Sequence, residues 1–233
     1  MASQNEERAN RILDAAAKLI ERWSYKKTTI DDIAKQAGVA KGTIYLHWKT
    51  REELFRAVIV HEELKVTEDM KQRVANDPEG STLHAMLKHW MLAIIKRPIW
   101  KAVFLRDTDM LGELVRTEYT SAAAQEGIAG FTTYLEFLRG RGLIRTDQDV
   151  QQQIYMMNAI AIGFLLADPF LPEEMKLPDE EVAELLAETI RCAFDSRESV
   201  ASGERQEISY AFNQYINREI DILKGQDQKE VES

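Results

Sequence analysis

A stretch of seven residues, Lys41 to His47, groups side chains that could contact a nucleic acid. Lys, Thr and His side chains hydrogen-bond phosphates and base edges, and Tyr and Leu side chains can pack against the methyl group of thymine. Gly42, near the start of the stretch, has no side chain and would let the backbone approach a duplex closely. These residue types predict a surface that fits a groove of DNA.

Helical periodicity gives this stretch one inward face and one outward face. Ile44 and Trp48 are four residues apart, so both would point inward from a short helix over about 41–47. The other side chains would point away from these two anchors, and they are Gly42, Thr43, Tyr45, Leu46 and His47. An exposed Leu beside an exposed Tyr makes a poor solvent face, but it suits a surface that DNA covers.

A second short helix is predicted directly before this one, over about 30–37. Thr29 is a candidate N-cap, with Asp32 three residues later as a weak capping-box partner. Gly38 supplies the left-handed backbone position that ends a helix, and the next helix begins within about three residues. Two short helices joined by so tight a turn are typical of a helix-turn-helix.

The helix that follows, over about 51–75, has a positively charged start. Thr50 and Glu53 form a second capping-box pattern at its N-terminus. Lys49 and Arg51 lie beside the partial positive charge of that helix end, where a phosphate group is stabilised. We expect both cations to contact the DNA backbone.

The same spacing also fits a short helical hairpin with a solvated basic face, which is the alternative interpretation. The net charge of −9 by itself argues against nucleic acid binding. The charge distribution argues for it, because residues 1–51 carry ten Lys and Arg against six Asp and Glu, whereas residues 52–233 carry twenty against thirty-three. A small basic end on a large acidic body fits DNA binding through that end.

The region from Ile30 to Leu54 resembles the tetracycline-repressor (TetR) family of one-component regulators. The residues that carry the resemblance read I-x-x-I-A-x-x-A-G-V-x-K-G-T-I-Y-x-H-W-K-x-R-E-E-L. The resemblance is close over about residues 8–68, and the rest of the chain matches only in the number and size of its helices. Two positions depart from the pattern: Ala40 stands where many members carry a Ser or Thr cap, and Trp48 stands where Phe is more usual.

The resemblance implies a helical homodimer that binds a palindromic double-stranded operator, with a small-molecule effector that changes the spacing of the two heads. It also assigns roles within the helix-turn-helix. The residues on the phosphate side would be Thr29, Thr43, Lys49 and Arg51. The residues facing the groove would be Lys41, Gly42, Tyr45, Leu46 and His47. We expect a transcriptional repressor that the effector releases from its operator.

Helical periodicity continues through the rest of the sequence, and its breaks are short and marked by Gly, Pro, Asp or Asn. We therefore expect an all-α protein with three parts. Residues 1–51 would form a three-helix DNA-binding head, and residues 52–224 a larger helical bundle for ligand binding and dimerisation. The helix over about 51–75 would connect the two, and residues 225–233 would be a flexible tail.

The helices between about 82 and 167 are rich in aromatic side chains, which usually form a core but can also line a ligand cavity. Asn158 lies within an apolar helix, and a buried Asn needs a polar partner from the protein, from a ligand or from water. We expect the effector pocket among these helices. Its predicted lining residues are His89, Trp90, Phe104, Tyr134, Tyr155 and Asn158.

The helix over about 150–167 is apolar nearly all round, so it must be covered on more than one side. Its small residues would allow close approach of a second subunit. We expect this helix and the one over about 179–195 to form a four-helix dimer interface. The predicted interface residues are Ala159, Gly163, Leu185, Leu186, Thr189 and Ile190. The last helix, over about 204–224, either packs beside this interface or shares it.

The sequence lacks the motifs of disulfide-bonded proteins, metalloproteins, enzymes and secreted or membrane proteins. The single cysteine, Cys192, rules out an internal disulfide, and the four His residues lack metal-ligand spacing. The sequence has no Gly-rich phosphate loop and no nucleophile elbow, so we expect neither an enzyme nor a cofactor. It also has no signal-peptide pattern, and its longest apolar run, 159–167, is too short to span a bilayer. We expect a cytoplasmic protein without membrane contact.

Two other functions remain open at this point. One is an all-α ligand-binding or enzymatic bundle that does not bind DNA, against which the basic head and the predicted groove face argue. The other is an architectural DNA-binding protein without a ligand, against which the aromatic-rich second domain argues mildly.

Overall fold

The computed structural model describes residues 2–115, 122–196 and 202–232. Within these ranges the predicted all-α fold is confirmed, and the pairing outside helices is an isolated antiparallel bridge between Ile144 and Asp195. The helices are α1 (Ala2–Lys27), α2 (Ile30–Ala37), α3 (Lys41–His47), α4 (Arg51–Ala75), α5 (Leu83–Ile95), α6 (Pro98–Phe104), α7 (Thr108–Leu111), α8 (Ala122–Gly140), α9 (Val150–Leu166), α10 (Asp179–Phe194) and α11 (Ser202–Glu232). Two short 3-10 helices, Asp168–Phe170 and Glu173–Met175, lie between α9 and α10.

Contacts divide the chain into two compact units. The first draws on Met1–Val66, Arg97–Gln125 and Ile220–Ser233, and the second on Thr67–Lys96 and Glu126–Glu219. None of the described helices combines the length and the apolar character that spanning a membrane requires.

One apolar core holds the first unit together. α1 packs against α2 and α7, and α6 also packs against α7. The helix-turn-helix contributes Ile33, Ile44 and Trp48 to this core, and the α6–α7 segment contributes Ile99 and Leu111. The periodic apolar residues of α1, α2 and α3 thus converge on one interior, which orients the two short helices.

The junction between α1 and α2 is a compact bend rather than a straight continuation. Ser24 has φ 65 and ψ 164, which interrupts the helical backbone within α1. The backbone N–H of Thr28 donates to the Ser24 carbonyl at 3.2 Å, and the Thr28 hydroxyl donates to the same oxygen at 2.9 Å. A positive φ is uncommon for a residue other than glycine, so these contacts are needed to hold the bend.

The second unit is a helical bundle in which α5 packs along α10. The buried residues of α10 include Leu186, Ile190 and Phe194. Tyr134 of α8 is buried, stacks on Tyr215 with 5.9 Å between ring centroids, and donates its hydroxyl hydrogen to the Ser81 carbonyl. Burial raises the pKa of the Tyr134 hydroxyl, because the phenolate would lose its solvation.

Candidate nucleic-acid interface

The outward face of α3 carries two large apolar side chains that the protein does not cover. Leu46 is 73% exposed and Tyr45 is 40% exposed, whereas Ile44 and Trp48 are buried on the opposite side. The two anchors therefore lie where the four-residue spacing predicts them. Uncovered Leu and Tyr side chains side by side on a short helix form a surface that suits a partner.

Gly42 lies in open space on this same face. A Cβ atom built at Gly42 would meet no heavy atom within 4 Å, so packing inside the protein does not require a glycine there. Lys41 and Gly42 are both exposed, and Thr43 is half-buried. The absence of a side chain at Gly42 leaves the first turn of α3 accessible to an approaching duplex.

Lys41 is held at the start of α3 by an ion pair. Its Nζ lies 2.8 Å from Asp31 Oδ2 of α2, and this hydrogen bond raises the pKa of Lys41. Both side chains are well exposed, so the pair is screened by water and contributes little to stability. The ion pair does, however, hold the Lys41 ammonium group beside the outward face of α3.

His47 is not on the groove-facing surface, which corrects the expectation from the sequence. Its side chain is 3% exposed, and its ring lies 5.2 Å from the Trp48 ring. Residues 44 and 47 are three apart on a helix, so His47 shares the inward face of Ile44. Burial, followed by the charge of Arg8, lowers the pKa of His47 and favours the neutral imidazole.

The caps around the turn follow the sequence pattern. Thr29 caps α2, and its Oγ1 accepts a hydrogen bond from the Asp32 backbone N–H at 3.2 Å. Gly38 has φ 67 and ends α2 in the left-handed conformation. Ala40 precedes α3 in an extended conformation and makes no side-chain cap, so the departure noted at this position leaves the start of α3 without one.

The predicted capping box at the start of α4 is present. The Glu53 backbone N–H donates to Thr50 Oγ1 at 3.1 Å, and Glu53 Oε2 accepts from the backbone N–H groups of Thr50 at 3.2 Å and Lys49 at 2.7 Å. Lys49 is exposed at this helix end. Its backbone is fixed by Glu53 while its ammonium group can reach outward.

Arg51 was expected to face a phosphate, but its guanidinium group points into the protein. The residue is half-buried, and its Nη2 donates to the backbone carbonyls of Tyr25 and Thr28. The guanidinium carbon lies 3.9 Å from the centroid of the Tyr25 ring. A planar guanidinium can stack and hydrogen-bond at once, which explains why the protein interior competes for this cation.

Residues 12–58 match the family model for bacterial regulatory proteins of the tetR family. The matched range contains α2, the turn at Gly38 and α3, whose outward face is described above. Over this range the chain is similar to the TetR family. The resemblance read from Ile30 to Leu54 is thereby confirmed.

Relatives of this region include transcriptional regulators. Over 91 residues, the chain is 36% identical to an uncharacterized HTH-type transcriptional regulator, YhgD of Bacillus subtilis (strain 168), with 39% of this chain and 46% of YhgD aligned. The chain thus spans less than half the length of this relative.

Two solved structures have a similar fold. One is a Rhodococcus sp. protein assigned to the TetR family, with a TM-score of 0.60, 21% identity, and coverage of 81% of this chain and 98% of that chain. Another is the SmeT–triclosan complex, with a TM-score of 0.59, 21% identity, and coverage of 84% and 95%.

The residues predicted to line an effector pocket do not come together as expected. Tyr155 is 77% exposed on α9, and Asn158 is exposed with its Nδ2 donating to the Ile154 carbonyl at 2.9 Å. An Asn side chain that bonds to its own helix needs no ligand. Tyr134 belongs to the core of the second unit, and Trp90 and Phe104 are half-buried.

His89 is the member of that set with an unmatched polar atom. It is buried, its Nε2 lies 2.9 Å from Asp77 Oδ2, and its Nδ1 has no hydrogen-bond partner among the described residues. A groove of about 220 Å³ also opens in the second unit. It is lined by Val74, Ala75, Asp77, Pro78, Glu79, Ser81, Thr82, Arg205, Ile208 and Ser209. These residues come from distant segments, so no local sequence pattern marks them.

The predicted dimer residues divide into two groups. Ala159, Gly163, Leu185 and Thr189 are exposed on α9 and α10. Leu186 and Ile190 are buried in the core of the second unit, which corrects their assignment to the interface. On a helix, positions 186 and 190 lie on one face, and that face packs inward, whereas positions 185 and 189 face outward.

Sequence spacing also missed a charged cluster in the first unit. Asp14, His61 and Glu62 place one metal-capable atom each within 4.8 Å of one another. The Lys65 ammonium already lies 2.6 Å from Asp14 Oδ1 and 2.8 Å from Glu62 Oε1, so it balances these carboxylates. Burial opposes ionisation of Asp14, but its bonds to Lys65 and His61 lower its pKa overall.

Proposed function

We propose that this protein is a sequence-specific DNA-binding transcriptional regulator, and that it acts as a repressor. The observation that carries the proposal is the outward face of α3, where Leu46 and Tyr45 lie uncovered beside the open position of Gly42. This face belongs to the second helix of a helix-turn-helix, which is the helix that enters the major groove. Residues 1–51 form the DNA-binding head in this proposal, and the protein has no enzymatic role.

A binding experiment in which the protein selects its own DNA sequences tests this proposal. Duplexes enriched from a random pool by the wild-type protein would be used to measure affinity by fluorescence anisotropy. Leu46→Asp should abolish specific binding, because it replaces an apolar groove contact with a negative charge. Ile128→Asp is the matched control, since Ile128 is an exposed apolar residue on α8. A wild-type protein that enriches no sequence would contradict the proposal.

We also propose that the regulator is a homodimer that binds a palindromic operator. One short head reads few base pairs, and a two-fold pair of heads reads two half-sites about one helical turn apart. Exposed apolar and small residues on α9 and α10 support a self-complementary interface, and they are Tyr155, Ala159, Gly163, Leu166 and Leu185. Residues 52–224 would provide this interface and the effector site.

The effector in this proposal is a small molecule that binds the second domain in the cytoplasm. SmeT, which has a similar fold, forms a complex with triclosan. Within this chain, the buried His89 with its unmatched Nδ1 supports a polar anchor for an effector. Thermal-shift screening of small molecules tests this, because a ligand that binds only the folded state raises the melting temperature. Hits that leave operator affinity unchanged would contradict the regulatory role.

A further inference from the structure

The guanidinium group of Arg51 is used inside the protein, although Arg51 begins a helix that could bind a phosphate. Its Nη2 donates to the carbonyls of Tyr25 and Thr28, the latter at 3.2 Å. Its central carbon lies 3.9 Å from the Tyr25 ring centroid and 4.7 Å from that of Phe55. A planar guanidinium stacks on aromatic rings while it donates hydrogen bonds in its plane, and an ammonium group cannot reproduce both contacts.

These contacts join two segments that determine the direction of α2 and α3. Tyr25 and Thr28 lie in the bend that Ser24 creates before α2. Phe55 lies in the second turn of α4 and meets the Tyr25 ring edge-on, with 4.7 Å between centroids. Arg51 therefore ties the start of α4 to the bend from which the helix-turn-helix begins.

Tyr25 also contacts α7 at a position that requires glycine. Gly112 caps α7 with φ 63 and ψ −148, a conformation that residues with a side chain rarely adopt. A Cβ atom built there would lie 3.1 Å from Tyr25 Cδ1, closer than an ordinary van der Waals contact. The Tyr25 ring is thus held by Arg51 and Phe55 of α4 and by the glycine that ends α7.

We propose that Arg51 is a positioning residue of the DNA-binding head and not a phosphate contact. Arg51, Tyr25 and Gly112 form a lock that fixes α2 and α3 against the start of α4. The inference rests on the proposed function, because one of its readouts is operator affinity. A change at Gly112 is transmitted through Tyr25 and Arg51 to α3 without any contact between α7 and DNA.

The salt dependence of operator binding separates positioning from phosphate contact. Affinity would be measured across a range of salt concentrations for the wild type, Arg51→Lys and Arg51→Met. If Arg51 positions the head, both variants weaken binding by about tenfold or more, because neither Lys nor Met can stack on the Tyr25 and Phe55 rings while donating to the Tyr25 and Thr28 carbonyls. The slope of log affinity against log salt then stays at the wild-type value, because no phosphate contact is lost.

A phosphate role gives the opposite pattern and would overturn the inference. Arg51→Lys would then keep the affinity, because it keeps the charge. Arg51→Met would reduce the salt slope by about 0.9, as expected for one lost phosphate contact. Tyr25→Leu provides a second test, because this side chain carries no charge for a phosphate; it should weaken binding as Arg51→Lys does.

A pair of glycine substitutions tests the role of α7. Gly112→Ala and Gly142→Ala both place a side chain at a positive φ, of 63 and 62 respectively. A Cβ at Gly142 meets no atom within 4 Å, whereas a Cβ at Gly112 displaces Tyr25. We expect both variants to lose thermal stability, but only Gly112→Ala to lose operator affinity, by several-fold. Unchanged affinity of Gly112→Ala would remove α7 from the lock.

Hydrogen exchange tests the lock independently of DNA. Amide groups of α2 and α3 should exchange faster in Arg51→Lys than in the wild type, whereas amides of α10 in the second unit should not change. A wild-type protein that binds no duplex would overturn the proposed function alone. Unchanged exchange in α2 and α3 would overturn the lock, whatever the protein binds.

Discussion

Two helices of this chain expose apolar side chains next to small residues, and their surroundings differ. On α3, Leu46 and Tyr45 are exposed beside Lys41 and an uncovered Gly42. On α9, Tyr155 is exposed on a helix that contains no charged residue between Val150 and Leu166. The first surface offers a cation and hydrogen-bond donors next to apolar atoms, and the second offers apolar atoms and small residues.

The difference matches the two partners proposed above, DNA and a second copy of the chain. A polyanion such as DNA needs cations and donors around an apolar contact, and α3 with Lys49 nearby provides them. In the proposed dimer, an apolar helix of a second copy would need an uncharged surface with room for close approach, and the open Cβ position of Gly163 on α9 fits that need. An exposed apolar residue is therefore informative about a partner only together with its neighbours.

The largest expected effect concerns dimerisation through α9. Gly163→Glu should convert the dimer to monomers, because it places a charge on a face that would otherwise pack against its symmetry mate. Operator affinity should fall by more than about 100-fold, since two linked heads gain that much from simultaneous binding. Light scattering measures the mass, and anisotropy measures the affinity.

The control for this variant is Gly203→Glu. A Cβ at Gly203 also meets no atom within 4 Å, so the substitution adds the same charge at an open position near the start of α11. We expect Gly203→Glu to remain dimeric. A Gly163→Glu protein with wild-type mass would show that α9 is not the interface.

The next largest effect concerns operator binding through α3. Tyr45→Ala should weaken operator binding by about 1–3 kcal/mol, the cost of losing a contact to base edges, and should reduce the preference for operator over random DNA. Tyr210→Ala removes a more exposed tyrosine of α11 and is the matched control. Equal losses on operator and random duplexes would instead assign Tyr45 to the DNA backbone.

Sequence alone predicted most of the local structure of the head. The caps at Thr29 and Thr50, the turn at Gly38 and the anchors Ile44 and Trp48 all depend on residues within four positions of one another. Because these patterns act over such short range, long-range packing seldom changes the local structure that they predict.

The same reasoning failed where long-range packing decides the outcome. Asn158 was expected to need a buried partner, but the helix turns its side chain outward, where it bonds to the Ile154 carbonyl. His47 was expected outside and is inside, because the helix ends at this residue and position 47 follows Ile44 by three. The internal use of Arg51 depends on the bend at Tyr25, twenty-six residues away, which no local pattern reports.

A smaller effect concerns the electrostatic part of the α3 surface. Lys49→Ala should weaken binding to operator and random DNA alike and reduce the salt slope by about 0.9, because one released counterion is lost. Lys176→Ala, in the second unit, removes an exposed lysine that pairs with Glu173 and should leave the slope unchanged. If Lys49→Ala changes specificity instead, Lys49 reads bases and the phosphate side of the interface is wrongly assigned.

The smallest effect sharpens the distinction between the two faces of α3. Burial lowers the pKa of His47, so the folded state disfavours the imidazolium that the unfolded state forms below its ordinary value of about 6.5. Above pH 6.5, His47 should therefore not affect the free energy of unfolding. As the pH decreases from 6.5 towards the pKa of His47 in the folded state, the free energy of unfolding should fall, by at most about 1.4 kcal/mol per pH unit. Thermal unfolding of the wild type and of His47→Gln, compared between pH 5 and 8, isolates the contribution, because Gln cannot take up the proton. If stability depends on pH in the same way for the wild type and for His47→Gln, the imidazole is exposed to water. His47 would then not belong to the inward face of α3.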